Sequence, residues 1–269
     1  TEKVETRTIT QTVSATGKIE PEFKVLITPE VTGEIVELPV KEGDVVQRGQ
    51  LLIRIKPDTY IAARDRAAAS LQAAKSNLAI REAELNRVTS EYSRIKELAS
   101  KGLASTADLE GMEATFLASK AQYASSQANV LQSEASLKEA NEQLNKTAIF
   151  SPMNGTISQL NVELGERVLG SGFTQGTNLM TVADLGKMQA TVDVDENDVT
   201  MVKIGDTTRV RIDAFRDRVF TGLVTQIANT AKTSGFGTQD QVVNFEIKIN
   251  LIDVESSIRP GMSCNVYIE

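Results

Sequence analysis

Two stretches of this sequence look like the halves of one small β-domain, and about 90 residues of helical pattern separate them. The first half runs from Val31 to Ile55 and the second from Ala148 to Gly170. Each contains turn-forming glycines and two runs of alternating apolar residues, which is the pattern of short, half-buried strands. A β-domain interrupted by such a long helical segment has few known uses, so the split constrains both fold and function.

The helical segment predicts two long helices joined by a short turn. Pro57 ends the first β region, and Asp58 is a candidate N-cap for the first helix. Gly102 suits the C′ position after that helix, because glycine adopts positive φ without steric cost. Each helix covers roughly 40 residues, or about 60 Å at 1.5 Å per residue. The link between them is only a few residues long, so the helices are expected to be antiparallel neighbours.

A heptad repeat on both helices predicts that they pack as a coiled coil. On the first helix the repeat consists of Leu71, Leu78, Leu85 and Tyr92, with Ala74, Val88 and Ile95 between them and Arg81 as the polar exception. On the second helix it consists of Leu109, Phe116, Tyr123, Val130, Leu137 and Leu144, with Met112, Ser119, Ser126, Ser133 and Ala140. This seam, rich in Ala and Ser, lets the helices approach closely but gives modest stability. The Ala- and Ser-rich faces could also receive a neighbouring hairpin.

The last third of the chain returns to β patterns and predicts a small β-barrel. The predicted strands are Met188–Val194, Arg209–Ile212, Val219–Ile227, Val242–Ile252 and Met262–Ile268. A short helix is expected between the first two strands, capped by Asn197 or Asp195 and ended by Gly205. Residues 233–239 are expected to form a loop.

The N-terminal 20 residues also have strand-like alternation, beginning at Val4 and continuing through Thr6, Thr8 and Thr10. We expect this segment to form a strand. Within it, Thr16-Gly17 predicts a turn or a bulge.

The composition excludes several classes of function. The sequence has no His and one Cys, so it lacks residues for His-based acid–base catalysis, Cys–His nucleophiles and nearly all zinc sites. A net charge of -7 argues against nonspecific nucleic-acid binding. Cys264 would share one strand face with Val266 and Ile268, which predicts a buried thiol. We expect no enzymatic activity.

Four acids, Asp193, Asp195, Glu196 and Asp198, lie close enough in sequence to suggest a metal site. No glycine falls at the spacing of an EF-hand loop, and Asp193 and Asp195 would lie on one strand face. We interpret the cluster as a solvated segment between a strand and a helix, and expect no metal ion.

Five short motifs occur in an order that resembles a known family. They are V-S-A-T-G-K-I-E-P (13–21), V-T-G-E-I (31–35), K-E-G-D-V-V-Q-R-G (41–49), S-P-M-N-G-T-I (151–157) and I-R-P-G-M (258–262). In this order the chain resembles the periplasmic adaptors of tripartite efflux systems, the HlyD-like membrane fusion proteins. It is most similar to their macrolide-exporter branch. The resemblance covers nearly the whole chain.

The resemblance implies an elongated, multidomain protein of mixed α and β structure. A lipoyl-like β-domain is split by a long antiparallel coiled-coil α-hairpin and followed by a small β-barrel. The implied divisions are a strand that joins the barrel and a membrane-proximal region (1–22), lipoyl-like half one (23–57), the hairpin (58–146, tip about 99–105), lipoyl-like half two (147–185) and the barrel (186–269). The membrane-proximal domain of the family is expected to be largely absent from this chain.

The resemblance also implies a function. Such adaptors link an inner-membrane transporter to an outer-membrane channel of the TolC type, and they assemble into a ring, usually a hexamer. An ABC transporter is favoured here, with a proton-driven RND pump as the alternative. The expected location is the periplasm, with an inner-membrane anchor preceding Thr1. A coiled-coil scaffold without a transport role is a further alternative.

In this family the hairpin tip carries the motif R-x3-L-x6-S, which Arg94, Leu98 and Ser105 match here. The resemblance implies that these three residues meet the outer-membrane channel. Each also has a purely structural interpretation. Ser105 would cap the second helix in a variant capping box, Leu98 would close the seam, and Arg94 would pair with Glu91 or Glu97.

A lipoyl or biotinyl carrier is the main alternative from another class. Carriers attach their cofactor to a Lys in the turn between the two half-domains. The nearest match here is Lys56, but it precedes Pro57 at the start of a helix, and the signatures E-T-D-K-A and E-A-M-K-M are absent. We therefore expect no covalent cofactor.

Overall fold

The structure is a computed structural model that describes residues 12–171, 176–215, 218–234, 242–252 and 257–269. It confirms the predicted fold class: strands from both halves of a split β-domain, a long helical hairpin between them, and a barrel after them. The alternation predicted from Val4 to Thr10 lies outside the described residues. Within the described ranges, none of the helices combines the length and the apolar character that crossing a membrane requires.

The split β-domain consists of two four-stranded sheets, and each sheet contains strands from both halves. The first half provides β2 (Lys24–Ile27), β3 (Gly33–Glu37), β4 (Val45–Val46) and β5 (Leu51–Ile55), and the second β6 (Ala148–Phe150), β7 (Gly155–Leu160), β8 (Arg167–Val168) and β9 (Met180–Ala183). The strand orders are β2-β9-β7-β4 and β6-β5-β3-β8. Leu52, Ile53, Ile157 and Val182 belong to one shared core. Neither half forms its own sheet, so the hairpin is inserted into one cooperative unit.

One four-residue turn recurs at four places among the described residues: 41–44, 47–50, 163–166 and 203–206. In each, the fourth residue donates its amide to the carbonyl of the first, and the third residue is a glycine with positive φ. The side chain of the fourth residue accepts a hydrogen bond from the amide of the first. Gly43, with φ 90° in the turn 41–44, confirms that the first half-domain contains turn-forming glycines.

The C-terminal strands close into a six-stranded barrel together with an N-terminal strand. Its strands are β1 (Val13–Pro21), β10 (Met188–Asp195), β11 (Thr207–Ile212), β12 (Phe220–Ile227), β14 (Val242–Leu251) and β15 (Ser263–Ile268). They pair in the order β10-β1-β15-β11-β12-β14, and β14 pairs with β10 to close the barrel. Ile19, Val210 and Ile249 lie in its buried core. A short strand, β13 (Lys232–Ser234), extends the sheet beyond β14.

The turn or bulge predicted at Thr16-Gly17 is wrong. Both residues lie inside β1, where Gly17 pairs with Val192 on one side and Cys264 on the other. A Cβ atom at position 17 would lie 2.0 Å from the carbonyl oxygen of Thr191. Glycine is present because the neighbouring backbone approaches too closely for a side chain.

The hairpin consists of α1 (Asp58–Ser100) and α2 (Thr106–Asn145). The predicted seam is confirmed, because the less exposed positions of both helices repeat with its heptad spacing. Tyr92 and Phe116 stack across it with ring centroids 5.2 Å apart. The prediction that Asp58 is the N-cap of α1 is wrong. Pro57 occupies that position and makes no side-chain capping bond, while Asp58 is the first helical residue.

Two smaller predictions need correction. The short helix α3 (Glu196–Val199) is capped by Asp195, whose side chain accepts from the amide of Asn197, but it ends well before Gly205. The loop expected over residues 233–239 begins later, because Thr233 and Ser234 belong to β13. Residues 235–239 lie outside the described part of the chain.

Candidate partner-docking site at the hairpin tip

The first helix ends in a closed turn. The amide of Leu103 donates to the carbonyl of Leu98 at 2.9 Å, and the amide of Gly102 donates to that of Ala99 at 3.0 Å. Gly102 has φ 73°, the left-handed conformation that glycine adopts without strain. These bonds form a Schellman motif, which satisfies the last carbonyls of α1. The predicted role of Gly102 is confirmed, and the chain reverses direction in a defined conformation.

The second helix begins with a capping box formed by Ser105 and Asp108. The Ser105 hydroxyl accepts from the amide of Asp108 at 3.1 Å, and the Asp108 carboxylate accepts from the amide of Ser105 at 3.4 Å. The same hydroxyl donates to Asp108 Oδ2 at 2.7 Å. The capping interpretation of Ser105 is thus confirmed. Its side chain is nevertheless exposed, so the cap leaves it accessible.

Arg94 lies one turn before Leu98 on the outer surface of α1. Its guanidinium is 3.7 Å from Glu91, and 69% of its side chain is exposed. Of its two candidate partners, Glu97 pairs with Lys101 instead, at 2.6 Å. Leu98 is half-buried at the last turn of the helix. The ion pair therefore holds Arg94 loosely and leaves its charge available to a partner.

The structure places the three predicted residues at one end of the hairpin, on the last two turns of α1 and at the cap of α2. Together they present a cation, an apolar side chain and a hydroxyl on the two helix ends that flank the turn. This arrangement suits recognition of another protein surface.

Sequence reasoning missed Leu103, which is 72% exposed at the apex. In a Schellman motif the residue after the left-handed glycine usually packs against the helix residue that accepts its hydrogen bond, here Leu98. The position of Gly102 was therefore the available signal that the following Leu belongs to the tip.

At its other end, the hairpin is joined to the β-sheets at the start of α1 and at the end of α2. The amide of Ile55 donates to the carbonyl of Thr147 at 2.8 Å, which joins the strand before α1 to the residue after α2. Lys146 pairs with Glu30 at 2.7 Å, and the hydrogen bond to Glu30 raises the pKa of Lys146. The Tyr60 hydroxyl donates to the carbonyl of Thr32 at 2.8 Å. The orientation of the arm is therefore fixed by the β-domain.

Lys56, the candidate attachment site in the carrier hypothesis, lies at this base. Its ammonium is 3.8 Å from Asp58, and its amide donates to the carbonyl of Glu34 at 2.8 Å. It lines a groove of about 360 Å³ with Gly33 and Arg167, below the start of a long helix. A carrier lysine stands on an exposed hairpin turn, so this environment does not resemble an attachment site.

The buried thiol predicted at Cys264 is confirmed, since only 2% of the residue is exposed. Burial raises the pKa of the Cys264 thiol to about 11, so at neutral pH it is protonated and a poor nucleophile. The acidic cluster near α3 contains the cap residue Asp195. Among the described residues, no group of three or more potential ligands is arranged to hold a metal ion.

Two family descriptions match successive parts of the chain. "RND MFP, barrel-sandwich hybrid domain" matches residues 23–182. "YknX-like beta-barrel domain" matches residues 188–268. The first covers the split β-domain with its inserted hairpin, and the second covers the barrel.

Comparison with individual proteins gives the same result. The macrolide export protein MacA of Yersinia pestis is 30% identical over 230 residues, which cover 86% of this chain and 62% of that protein. The pyoverdine export membrane fusion protein PvdR of Pseudomonas aeruginosa is 28% identical, over 96% of this chain and 70% of that protein. The crystal structure of MacA from Actinobacillus actinomycetemcomitans superposes with a TM-score of 0.87 at 28% identity, covering 97% of this chain and 78% of that one. The chain spans less than two thirds of the Yersinia protein.

Proposed function

The chain belongs to the membrane fusion protein family, and we propose that it is a periplasmic adaptor that links an inner-membrane transporter to an outer-membrane channel. The long helical hairpin, which forms a projecting arm, is the observation that supports this proposal. A hairpin of two helices, 43 and 40 residues long, is fixed at its base and ends in a closed tip. A coiled coil of this length reaches about 60 Å with few residues, as bridging between two membranes requires.

The hairpin tip is the proposed contact with a channel of the TolC type. Arg94 offers charge-assisted hydrogen bonds, Leu98 an apolar contact and Ser105 a hydroxyl at the start of α2. Family resemblance assigns the docking role to this trio, and the described geometry supports it, because the exposed Arg94 and Ser105 lie on the two helices that meet at a turn held by backbone hydrogen bonds. The structural and docking roles of Ser105 are compatible, since a capped helix keeps the tip in one conformation.

We predict that Arg94→Asp or Leu98→Asp lowers crosslinking of the tip to the channel, and export with it, by roughly tenfold or more. Each change places a carboxylate where the docking surface offers a cation or an apolar side chain. Crosslinking in membranes measures the first effect, and resistance of cells to an exported compound measures the second. Lys120→Asp, an exposed charge reversal midway along α2, is the matched control and should leave both unchanged.

Helix content measured by circular dichroism should be the same in all three variants, because none of the positions is in the core of the seam. Unchanged crosslinking and export in both tip variants would show that the channel binds elsewhere.

We also propose that copies of the chain associate in a ring, which the family resemblance implies is a hexamer. The hairpin has an exposed stripe of small and apolar residues on the outer side of each helix. On α1 the stripe is Ala69, Ala73, Ser76, Ile80 and Ala83, and on α2 it is Ala114, Leu117, Ala121, Ala124, Ala128, Leu131 and Ala135. Both follow heptad spacing and turn away from the seam. Ile80, Leu117 and Leu131 are each more than half exposed, which favours packing of α1 of one copy against α2 of the next.

The location and the domain boundaries are inferred from the resemblance to the family. We infer that the protein lies in the periplasm and is anchored to the inner membrane through a preceding segment. The domain boundaries that we infer follow residues 22, 57, 146 and 185. An ABC transporter is favoured as the inner-membrane partner, because the chain is similar to a macrolide export protein. The adaptor of an RND pump is the second candidate, which the description of the matched hybrid domain favours. Crosslinking from full-length protein in membranes, followed by identification of the transporter, distinguishes the two.

A further inference from the structure

A cleft of about 590 Å³, the junction cleft, lies where the split β-domain meets the barrel. The chain passes between these two domains twice, once after β1 and once before β10. Backbone hydrogen bonds join the two crossings, from the amide of Glu22 to the carbonyl of Lys187 at 2.9 Å and from the amide of Asp184 to the carbonyl of Phe23 at 3.0 Å. Each domain provides one wall of the cleft, so a molecule that fills it contacts both.

The wall formed by the β-domain and the first crossing is apolar. It consists of Phe23, Val25 and Met153. Phe23 is 52% exposed, although the Lys187 ammonium lies 5.9 Å from the centroid of its ring. Binding sites for small molecules are concave and lined mainly by apolar and aromatic side chains, with a few polar groups that fix the orientation of the ligand. This wall supplies the apolar part of such a site.

The wall formed by the barrel contains two neighbouring polar side chains without partners. Gln189 and Thr191 are two residues apart on β10, so they lie on one face of the strand, and both line the cleft. Only 9% of Gln189 is exposed, and within the described residues its side-chain amide makes no hydrogen bond. The Thr191 hydroxyl is buried and likewise has no partner in the described part of the chain. Since unsatisfied buried polar groups are costly, a ligand that bonds to both would bind favourably.

The charged residues of the cleft leave one cation and one anion unpaired. The residues are Glu20, Glu22, Glu246, Lys24, Lys232 and Lys248. Glu20 pairs with Lys24 at 2.9 Å. Glu246 pairs with Lys232. Among the described residues, Lys248 has no carboxylate at ion-pair distance, and Glu22 has no cation but accepts a hydrogen bond of 3.5 Å from the side chain of Asn250.

These two unpaired charges are half-buried and lie within reach of one small molecule. Lys248 and Asn250 are two residues apart on β14, which separates them by about 7 Å. Glu22 lies beside Asn250. A fully extended dipeptide is also about 7 Å long. A ligand with an anion at one end and a cation at the other would therefore match both groups and offset the cost of burying them.

We propose that the junction cleft binds a small zwitterion with an apolar body, of the size of a dipeptide. Its carboxylate would accept hydrogen bonds from the Lys248 ammonium and the Thr191 hydroxyl, and its ammonium would donate to the Glu22 carboxylate. Its peptide group would pair with the Gln189 amide, and its apolar side chains would cover Phe23. Because the two walls belong to different domains, the bound molecule would hold the barrel at one angle to the β-domain.

The chain contains no Trp, so a tryptophan-containing dipeptide can be followed by its own fluorescence in the presence of the intact 269-residue protein. Leucyl-tryptophan is the probe, and its fluorescence anisotropy measures binding. We expect a saturable rise in anisotropy as protein is added. Acetylation of the amino end or amidation of the carboxyl end removes one charge of the probe, and each should weaken binding roughly tenfold.

Substitutions in the cleft test each contact separately. Lys248→Gln and Glu22→Gln should each weaken binding of the free dipeptide roughly tenfold, because each removes the partner of one charged end. Lys248→Gln should also bind the free and the amidated dipeptide alike, and Glu22→Gln the free and the acetylated one. Thr191→Val removes the hydroxyl at constant shape and should cause a smaller loss. Lys203→Gln, an exposed lysine in the turn before β11, is the matched control and should bind like the unmodified chain.

Hydrogen exchange followed by mass spectrometry locates the bound probe. The amides of Glu22 and Asp184, which join the two crossings, should exchange more slowly when the probe is present. Equal thermal unfolding temperatures would show that the variants fold.

Four outcomes would each overturn the proposal. They are no saturable binding at the highest soluble protein concentration, equal affinity for free and capped dipeptides, binding that Lys248→Gln and Glu22→Gln both leave unchanged, and binding without protection at the crossings. Docking of the hairpin tip does not involve the cleft, so any of these outcomes would leave the proposed adaptor function intact.

Discussion

At the scale of single residues, Cys264 gives the clearest dependence of stability on pH. Its thiol has a pKa of about 11 in the folded protein against an ordinary value of 9.0, because burial disfavours the thiolate. The unfolded chain therefore loses this proton before the folded one does. Stability contributed by the protonated thiol is complete below pH 9 and is lost as the pH rises towards 11.

We predict that the free energy of unfolding of the barrel falls by up to about 2 kcal/mol over that range through this residue alone. Cys264→Ala removes the titrating group, so its unfolding free energy should be lower at neutral pH, because a small cavity remains, but should fall less steeply. Denaturant titrations of both proteins at several pH values measure the difference. Parallel pH curves would contradict the assignment.

Residue roles were predictable where they depend on local pattern. Alternation along one strand placed Cys264 in the core, and the spacing from Ser105 to Asp108 identified a capping box. Gly17 was misjudged because its role depends on the carbonyl of Thr191, which is distant in sequence. A glycine that admits a neighbouring backbone and a glycine that turns the chain look alike in one sequence.

At the scale of secondary-structure elements, the hairpin seam contains one charged side chain, Arg81, with an unsatisfied hydrogen-bond donor. The Nε of Arg81 is buried without a hydrogen-bond partner. The stack of Tyr92 on Phe116 and the ion pair of Lys75 with Glu134, 3.4 Å apart, place Arg81 opposite the part of α2 that contains buried Ser126. A polar residue in a coiled-coil seam fixes the register of the helices and lowers their stability.

We predict that Arg81→Leu raises the free energy of unfolding of the hairpin by about 1 kcal/mol, since an unsatisfied buried donor is replaced by an apolar side chain. Thermal unfolding followed by circular dichroism measures the change. The control is Arg87→Leu on the exposed face. It removes ion pairs with Glu84 and Glu91 and should cost about 0.5 kcal/mol or less. A loss of stability in Arg81→Leu would show that the guanidinium is better solvated than its position indicates.

The elements themselves were largely predictable because heptad and alternating patterns are properties of short segments. Which strands pair with one another was harder to predict. The sequence indicated two half-domains, whereas in the structure β5 pairs with β6 and β4 pairs with β7, so every sheet mixes the two. Two of the three residues of β13 lie in the predicted loop. They form a strand only because they pair with β14, and that pairing is not visible in a short segment of sequence.

At the scale of the whole molecule, the candidate site depends on the length and direction of the arm. The tip motif and the position of Gly102 were readable from the sequence, whereas the ties at the base, such as Lys146 with Glu30, join residues that lie far apart in the chain. Family resemblance supplied the docking role. The geometry adds that the arm is fixed at one end and closed at the other, so the distance from β-domain to tip is set by the number of heptads.

That distance can be changed without changing either end. Residues 71–77 and 131–137 are matched heptads, because they contain Lys75 and Glu134, which pair across the hairpin. Deleting both removes this ion pair as a unit, keeps the seam in register and shortens the arm by about 10 Å. Deleting residues 71–77 alone is the control that breaks the register and should reduce helix content.

We predict that the matched deletion folds, and that its tip still binds the isolated channel, because Arg94, Leu98 and Ser105 are unchanged. Simultaneous capture of transporter and channel from membranes should fall sharply, since a bridge that is one heptad too short cannot reach both partners in their fixed positions. Crosslinked pull-downs that probe for each partner separately and together measure the two effects. Undiminished capture of both partners would mean that the length of the arm does not set the spacing between the membranes. The tip would then act only as a docking surface.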